Sequence, residues 1–289
     1  MTPDEGSPIT WRELLEETGR VLGERPAARW LCETACGLDG QEFLDELDAP
    51  ASERMVAHLD AMVQRYRQGE PLAYVMGRWS FRTIDVLVDP RVLIPRPETE
   101  IVAERAIELA RSRPAPRRIV DLGTGSGVIG LSMAVELPVS GTEIWMTDLS
   151  VEALDLARAN VAGIGRAGAN VRLAEGSWFA ALPENLRGAV DVVVSNPPYI
   201  AVGDDEVHAT VVEWEPHGAL FAGNDGLDAL RIVIADAPQW LTSSGWLIVE
   251  IGHRQGPGAS KLMSDASFTD VRVGRDLAGR DRYVEGRWP

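Results

Sequence analysis

The segment Asp121-Leu-Gly-Thr-Gly-Ser-Gly127 sets three glycines at alternate positions between an apolar run and a helix-forming one. Backbone can approach a ligand there, where any Cβ would collide. The same loop contains Gly125-x-Gly127-x-x-Gly130, the dinucleotide fingerprint, and Asp148 ends the next apolar run 18 residues after Gly130, placed to bind a ribose hydroxyl pair. On these residues alone a dinucleotide and S-adenosyl-L-methionine both remain open, because both present an adenosine ribose to that acid. Glycines that only make a tight strand-to-helix turn are the plainer alternative.

A second segment decides between them. Val192-Val-Val-Ser-Asn-Pro-Pro-Tyr199 is a buried strand that delivers Asn196, Pro197, Pro198 and Tyr199 at its carboxyl end, where ligands of open α/β sheets sit. The Asn196 carboxamide oxygen and the Pro197 carbonyl can each accept a hydrogen bond from a planar NH2 group, and the prolines stiffen the backbone that holds them. The four residues form a cradle for a substrate amino group, and hydride transfer has no use for them. The histidines (58, 208, 217, 253) are scattered without ligand spacing, so neither a metal site nor a Ser/His/Asp hydrolase is expected. Cys32 and Cys36 share one helical face and read as buried reduced thiols.

Both segments need an alternating β and α frame behind them. Apolar runs at 118–122, 143–147, 171–174, 190–195 and 246–251 read as strands, with helices at 128–136, 151–162 and 227–241 between them and an antiparallel pair at 269–275 and 282–285 closing the edge. Upstream, 11–22, 26–36, 41–47 and 52–68 read as helices; in the last, Met55, Val56, Leu59, Met62, Val63 and Tyr66 line one face. Two short β runs, 80–82 and 85–88, lie between Gly77 and Pro97. The expected architecture is α/β: a Rossmann-like methyltransferase sheet over 98–289, a small N-terminal helical domain over 1–73, and a β-hairpin connector over 74–97.

Composition narrows the partners. The chain of 289 residues is 45% hydrophobic and 25% charged, which supports packed cores and excludes wholesale disorder. Its net charge of -16 opposes the counterion-release route to nucleic acid. Residues 1–60 carry fourteen acids against five arginines, an acidic surface suited to a basic partner. No apolar stretch is long enough for a membrane span, and residues 1–9, with Asp4 and Glu5, lack a basic flank and apolar run, so a cytoplasmic protein without a membrane partner is expected.

Taken with Leu93-Ile-Pro-Arg-Pro-Glu-Thr-Glu100, Glu213-Trp-Glu-Pro216, Pro71-Leu-Ala-Tyr-Val-Met-Gly77 and Asp225-Gly-Leu-Asp228, these motifs resemble the HemK/PrmC family from about residue 10 to the end of the chain. The resemblance implies S-adenosyl-L-methionine as cofactor and, as acceptor, the side-chain amide nitrogen (N5) of a glutamine, in the Gly-Gly-Gln motif of class I peptide chain release factors. It implies that Gly123, Thr124, Gly125, Ser126 and Gly127 border the methionine part of the cofactor, that Asp148 binds its ribose, and that Trp178 lies beside its adenine. Asn196 would lie between cofactor and substrate, with Asn196, Pro197, Pro198 and Tyr199 forming the glutamine site. Many relatives carry an acid where this chain has Ser177, so either Glu175 or the Ser177 hydroxyl has to meet the adenine amino group. A DNA or RNA amino-group methyltransferase with the same Asn-Pro-Pro-Tyr site is the alternative.

Overall fold

The computed structural model describes residues 8–205 and 207–289. It divides into two compact units, the first ending at Gly77 and the second running from Arg78 to Pro289. The reading of residues 1–9 falls mostly on 1–7, outside the described residues. Among the described residues no helix is long and apolar enough to cross a membrane.

The first unit holds α1 (Trp11–Leu22), α2 (Arg25–Cys36), α3 (Gly40–Asp45), α4 (Glu53–Arg67) and α5 (Leu72–Met76). Helix α1 starts in a capping box: Thr10 Oγ1 accepts from Glu13 N–H, and the Glu13 carboxylate accepts from Thr10 N–H at 2.9 Å. It stops at Gly23, whose φ of +69° only glycine adopts cheaply. Leu14, Leu31, Phe43, Leu59 and Met62 fill the core, with Trp11 edge-on to Phe43 at 6.1 Å. Cys32 is buried and Cys36 half-buried; both are free thiols, and burial pushes Cys32 up to about 12, so it stays protonated.

The second unit begins with a hairpin, β1 (Arg78–Phe81) and β2 (Ile84–Leu87), each strand displaced slightly from its sequence-expected run because Arg82 turns the chain at φ +51°. Asn160 secures the hairpin: its Oδ1 accepts from Leu87 N–H at 2.7 Å, and its Nδ2 donates to the carbonyls of Leu87 and of Ser126 in the glycine loop. Then follow α6 (Pro97–Arg111), β3 (Arg117–Leu122), α7 (Val128–Glu136), β4 (Thr142–Asp148), α8 (Val151–Gly163), β5 (Val171–Glu175), β6 (Val190–Ser195), α9 (Ala209–Trp214), α10 (Asp228–Asp236), β7 (Leu241–Glu250), α11 (Gly256–Asp265), β8 (Thr269–Arg275) and β9 (Asp281–Arg287).

The seven-stranded sheet has the order β5-β4-β3-β6-β7-β9-β8. Strands β3 to β7 run parallel, and β9 pairs antiparallel with both β7 and β8. Every residue of β6 is buried, as is β3 from Ile119 onward, because helices cover both faces. After β3 the chain moves toward β4, and after β6 toward β7, so a crevice opens where these neighbouring strands part. Strand β7 starts five residues before the expected run; Ser244 at φ +64° and Gly245, whose added Cβ would lie 3.0 Å from the Val190 carbonyl, form an irregular stretch that hides strand character in Thr242-Ser-Ser-Gly. Helix α11 is not apparent in the sequence, because Gly256, Pro257 and Gly258 read as turn residues. In the fold Pro257 occupies the first helical turn, where its missing N–H is no loss.

Candidate active site

The glycine loop is built from β3 outward. Asp121 is buried at the strand end, where its Oδ2 accepts from Thr124 Oγ1 at 2.6 Å and from Gly130 N–H at 3.0 Å. It braces the loop from behind, and burial raises its carboxyl to about 6. Thr124 N–H donates to the Thr147 carbonyl, stitching the loop to β4. Asp148, at the end of β4, accepts from Gly125 N–H at 2.8 Å and from Ser150 N–H at 2.9 Å. Each carboxylate oxygen then keeps acceptor capacity for a further donor.

Two cavities open at these strand ends. The first, about 340 Å³, is lined by Gly123, Thr124, Gly125, Ser126, Asp148, Trp178, Asn196 and Pro198, together with the 91–96 segment. The second, about 430 Å³, is lined by Asn196 and Tyr199 beside the charged side chains Arg96, Arg254, Arg282 and Asp204. Asn196 borders both.

Two of the sequence-expected residues line neither cavity. Gly127 caps α7 at φ +94°, and a Cβ there would lie 2.7 Å from Met146 Cε, so its lack of a side chain serves packing. Pro197 is buried. Of the two candidates for the adenine amino group, Ser177 lines the first cavity, whereas Glu175 is exposed and does not. Trp178 takes φ +49°, an unusual value for a bulky residue, and its ring edge comes within 3.6 Å of where a Gly123 Cβ would be.

Asn196 Nδ2 donates to Thr99 Oγ1 at 3.2 Å, and among the described residues no protein group donates to its Oδ1. Tyr199 donates to the buried Glu250 at 3.4 Å. Burial and the Glu250 charge raise the Tyr199 phenol well above its ordinary value, which removes it as an acid. Glu215, also buried, accepts from Ile94 N–H at 3.1 Å and from Arg96 at 2.5 Å.

Sequence reasoning assigned no role to Arg96, Thr99, Glu215 or Glu250. The first three lie in motifs that carried the family resemblance. Glu250 had a signal of its own: like Asp121 and Asp148 it is a lone acid at the end of an apolar strand.

A mixed sheet of this order, with a glycine loop and Asn-Pro-Pro-Tyr flanking its crevice, defines a class I methyltransferase. Residues 105–214 match the methyltransferase small domain, and residues 10–77 match the PrmC N-terminal domain. The release factor glutamine methyltransferase of Xylella fastidiosa (strain 9a5c) is 40% identical over 92% of this chain and 94% of its own length. That of Burkholderia pseudomallei (strain K96243) is 37% identical over 100% of both. In fold, the chain is similar to the T. Thermophilus 16S rRNA N2 G1207 methyltransferase, solved in complex with AdoMet and guanosine, with a TM-score of 0.52 and 16% identity over 73% of this chain and 50% of that one. The chain belongs to the release factor glutamine methyltransferase family.

Proposed function

We propose that this protein transfers a methyl group from S-adenosyl-L-methionine to the side-chain amide nitrogen (N5) of the glutamine in the Gly-Gly-Gln motif of class I peptide chain release factors, in the cytoplasm. One observation carries the reading: Asn196 borders both cavities, and among the described residues no group donates to its Oδ1, which is left to accept a hydrogen bond. The family to which the chain belongs supports the same acceptor.

The first cavity suits the cofactor. Its volume lies within the usual range of small-molecule sites, roughly 300–1,000 Å³. An added Cβ at Gly125 would meet no protein atom within 4 Å, so the loop leaves room there for a ligand. The Asp148 carboxylate would accept the ribose hydroxyls, the Trp178 ring and Ser177 would flank the adenine, and Gly123 to Ser126 would border the methionine part. When bound, S-adenosyl-L-methionine supplies an electrophilic sulfonium methyl.

An amide nitrogen is a poor nucleophile because its lone pair is delocalised into the carbonyl. Accepting an N–H bond at Asn196 Oδ1 favours the pyramidal, more cationic nitrogen of the transition state, while Pro197, which is buried and lines neither cavity, stiffens the backbone that carries Asn196. Pro198 and Tyr199 wall the glutamine site. Alignment in such a site supplies on the order of 7–11 kcal/mol in favourable cases. The N-terminal helical region docks the release factor, its acidic surface turned toward a basic face of the partner.

Transfer of labelled methyl to a purified release factor, beside a variant whose Gly-Gly-Gln glutamine is Ala, tests the reading, with DNA and RNA as parallel acceptors. Label on the unmodified release factor alone is the expected result. Label on nucleic acid alone would move the function to amino-group methylation of DNA or RNA.

A further inference from the structure

We infer that Thr99 and Glu250 are positioning residues that fix which end of the Asn196 carboxamide faces the acceptor, a role that rests on the function proposed above. The oxygen and nitrogen ends of a carboxamide have nearly the same shape, yet only the oxygen end can receive an N–H bond from a substrate amide. Something must decide the orientation, and shape cannot.

The hydrogen-bond chain behind Asn196 decides it. Three elements converge there: the first turn of α6 brings Thr99, the end of β6 leads into Asn196 and Tyr199, and the end of β7 brings Glu250. Thr99 and Glu250 are 2% and 1% exposed. Thr99 Oγ1 accepts from Asn196 Nδ2 at 3.2 Å, so its single proton is free to point elsewhere. Glu250 Oε1 accepts from Tyr199 Oη at 3.4 Å, while Oε2 has no well-formed partner among the described residues. Electrostatically the Thr99 hydroxyl favours the ionised form of Glu250, and its proton is the one left to turn toward the unpartnered Oε2, a hydrogen bond that is not closed in this structure. An ionised carboxylate only accepts, so it draws both hydroxyl protons toward itself. Thr99 is then left with lone pairs to offer Asn196. The carboxamide must turn its NH2 to Thr99 and leave Oδ1 for the acceptor.

The charge state of Glu250 therefore matters. Burial pushes its carboxyl up to about 7, against the pull of the Thr99 and Tyr199 hydroxyls and of Arg282, with Glu98 raising it further. Arg282 is itself paired to Glu98 and Asp276, and Arg96 faces Tyr199 while paired to Glu215. A neutral Glu250 no longer draws both protons, and the orientation of Asn196 is released.

The test uses the full-length protein, S-adenosyl-L-methionine and a release factor. T99V keeps the shape and removes the hydroxyl; kcat is expected to fall roughly 10- to 100-fold. Thr99 also lines the first cavity, but valine keeps its shape there, so the cofactor Kd and release factor KM should stay within about threefold while kcat falls. T99S should restore kcat, E250Q should lower it, and the double variant T99V/E250Q should be no slower than the slower single variant, since both act through Asn196. The wild-type kcat should fall as pH is lowered through about 7, and T99V should lack that limb. His208 and His253 line the second cavity and are shared by both proteins, so the difference between the two profiles isolates Glu250. A T99V variant with wild-type kcat and an unchanged pH limb, or a T99S variant as slow as T99V, would overturn the positioning role. A wild-type protein that labels nucleic acid but no release factor would instead overturn the function on which it rests.

Discussion

Arg96 and Glu215, 119 residues apart in the chain, are in direct contact: a guanidinium nitrogen lies 2.5 Å from a carboxylate whose side chain is only 2% exposed. The same carboxylate holds Ile94 N–H. Together these bonds tie the 91–96 segment, which lines the first cavity, to the end of α9. Removing one partner of a fully buried pair strands the other charge, at about 3–5 kcal/mol; here Glu215 is buried but Arg96 is 31% exposed, so solvent screens part of that. R96M should therefore lower stability by less than that amount in urea unfolding and weaken cofactor binding by calorimetry. E215Q, which keeps an acceptor for Ile94, should do less. A variant R96M as stable as the wild type would show that the segment holds itself.

Replacing Asn196 by Ala should separate catalysis from binding. The expected loss in kcat is on the order of 100- to 1,000-fold, as for removal of one hydrogen-bonding group aimed at a developing charge. Asn196 contributes one edge of the first cavity, so the cofactor Kd should move by no more than about threefold. Steady-state kinetics beside calorimetry reads both, and an unchanged kcat would end the role of Asn196 in the reaction.

Gly125 of the loop and Gly130 in the first turn of α7 should fail in opposite ways. A Cβ at Gly130 would lie 2.5 Å from Met146 Cγ and 3.2 Å from Asp121 Oδ2. G130A should therefore cost about 1–3 kcal/mol through overpacking. A Cβ at Gly125 meets no protein atom within 4 Å, although φ there is +55°. The penalty for L residues in that conformation is about 1–2 kcal/mol, and G125A should lose cofactor affinity out of proportion to it. Equal losses of stability and affinity in both variants would contradict the division between packing and binding.

Buried carboxyls make stability depend on pH in an unusual direction. Asp121 and Glu250 have folded values of about 6 and about 7, above their ordinary values of 3.8 and 4.5. Between those limits the folded state binds more protons than the unfolded chain, so these two groups lower stability as pH rises from about 4 to about 7. Carboxyls held low by partners, such as Asp89 beside Arg91, act the other way only at lower pH. Urea unfolding at a series of pH values should show this decline for the wild type, and a shallower one for D121N and for E250Q. Identical slopes in all three proteins would refute the assignment.

The acidic N-terminal unit offers a test of docking. Glu16 and Glu17 lie exposed on α1. The charge reversal E16K/E17K should raise the KM for release factor several-fold at low salt, leave the cofactor Kd unchanged, and lose its effect as salt screens the interaction. A KM indifferent to both reversal and salt would assign this unit to stability alone.

Much of the site was legible because its signals are local. Three alternate glycines after an apolar run report a strand-to-helix turn with backbone exposed, and Asn-Pro-Pro-Tyr after another reports a stiff acceptor at a strand end. Asp148 fell where strand length put it. The helices of the first unit were legible from periodicity, as in the face from Met55 to Tyr66; the caps that the structure adds, Thr10 and Gly23 on α1, act within a turn or two of the helix ends. All of these are properties of about ten consecutive residues, and their meaning survives without knowing the neighbours.

What neighbours decide could not be read in that way. That Gly127 serves packing and not the cavity depends on Met146, a residue of another strand. The strand character of 241–245 depends on the Val190 carbonyl beside Gly245. Asn196 meets Thr99 across 97 residues and Ile94 meets Glu215 across 121. The chain's own pattern of apolar and polar residues determined which segments would be strands and helices, and its Gly-rich and Asn-Pro-Pro-Tyr motifs pointed to a candidate site at the ends of β3 and β6. Only the tertiary structure decided which polar groups are buried behind that site and which partner each one has, because burial and pairing arise when elements far apart in sequence close on one another and exclude water.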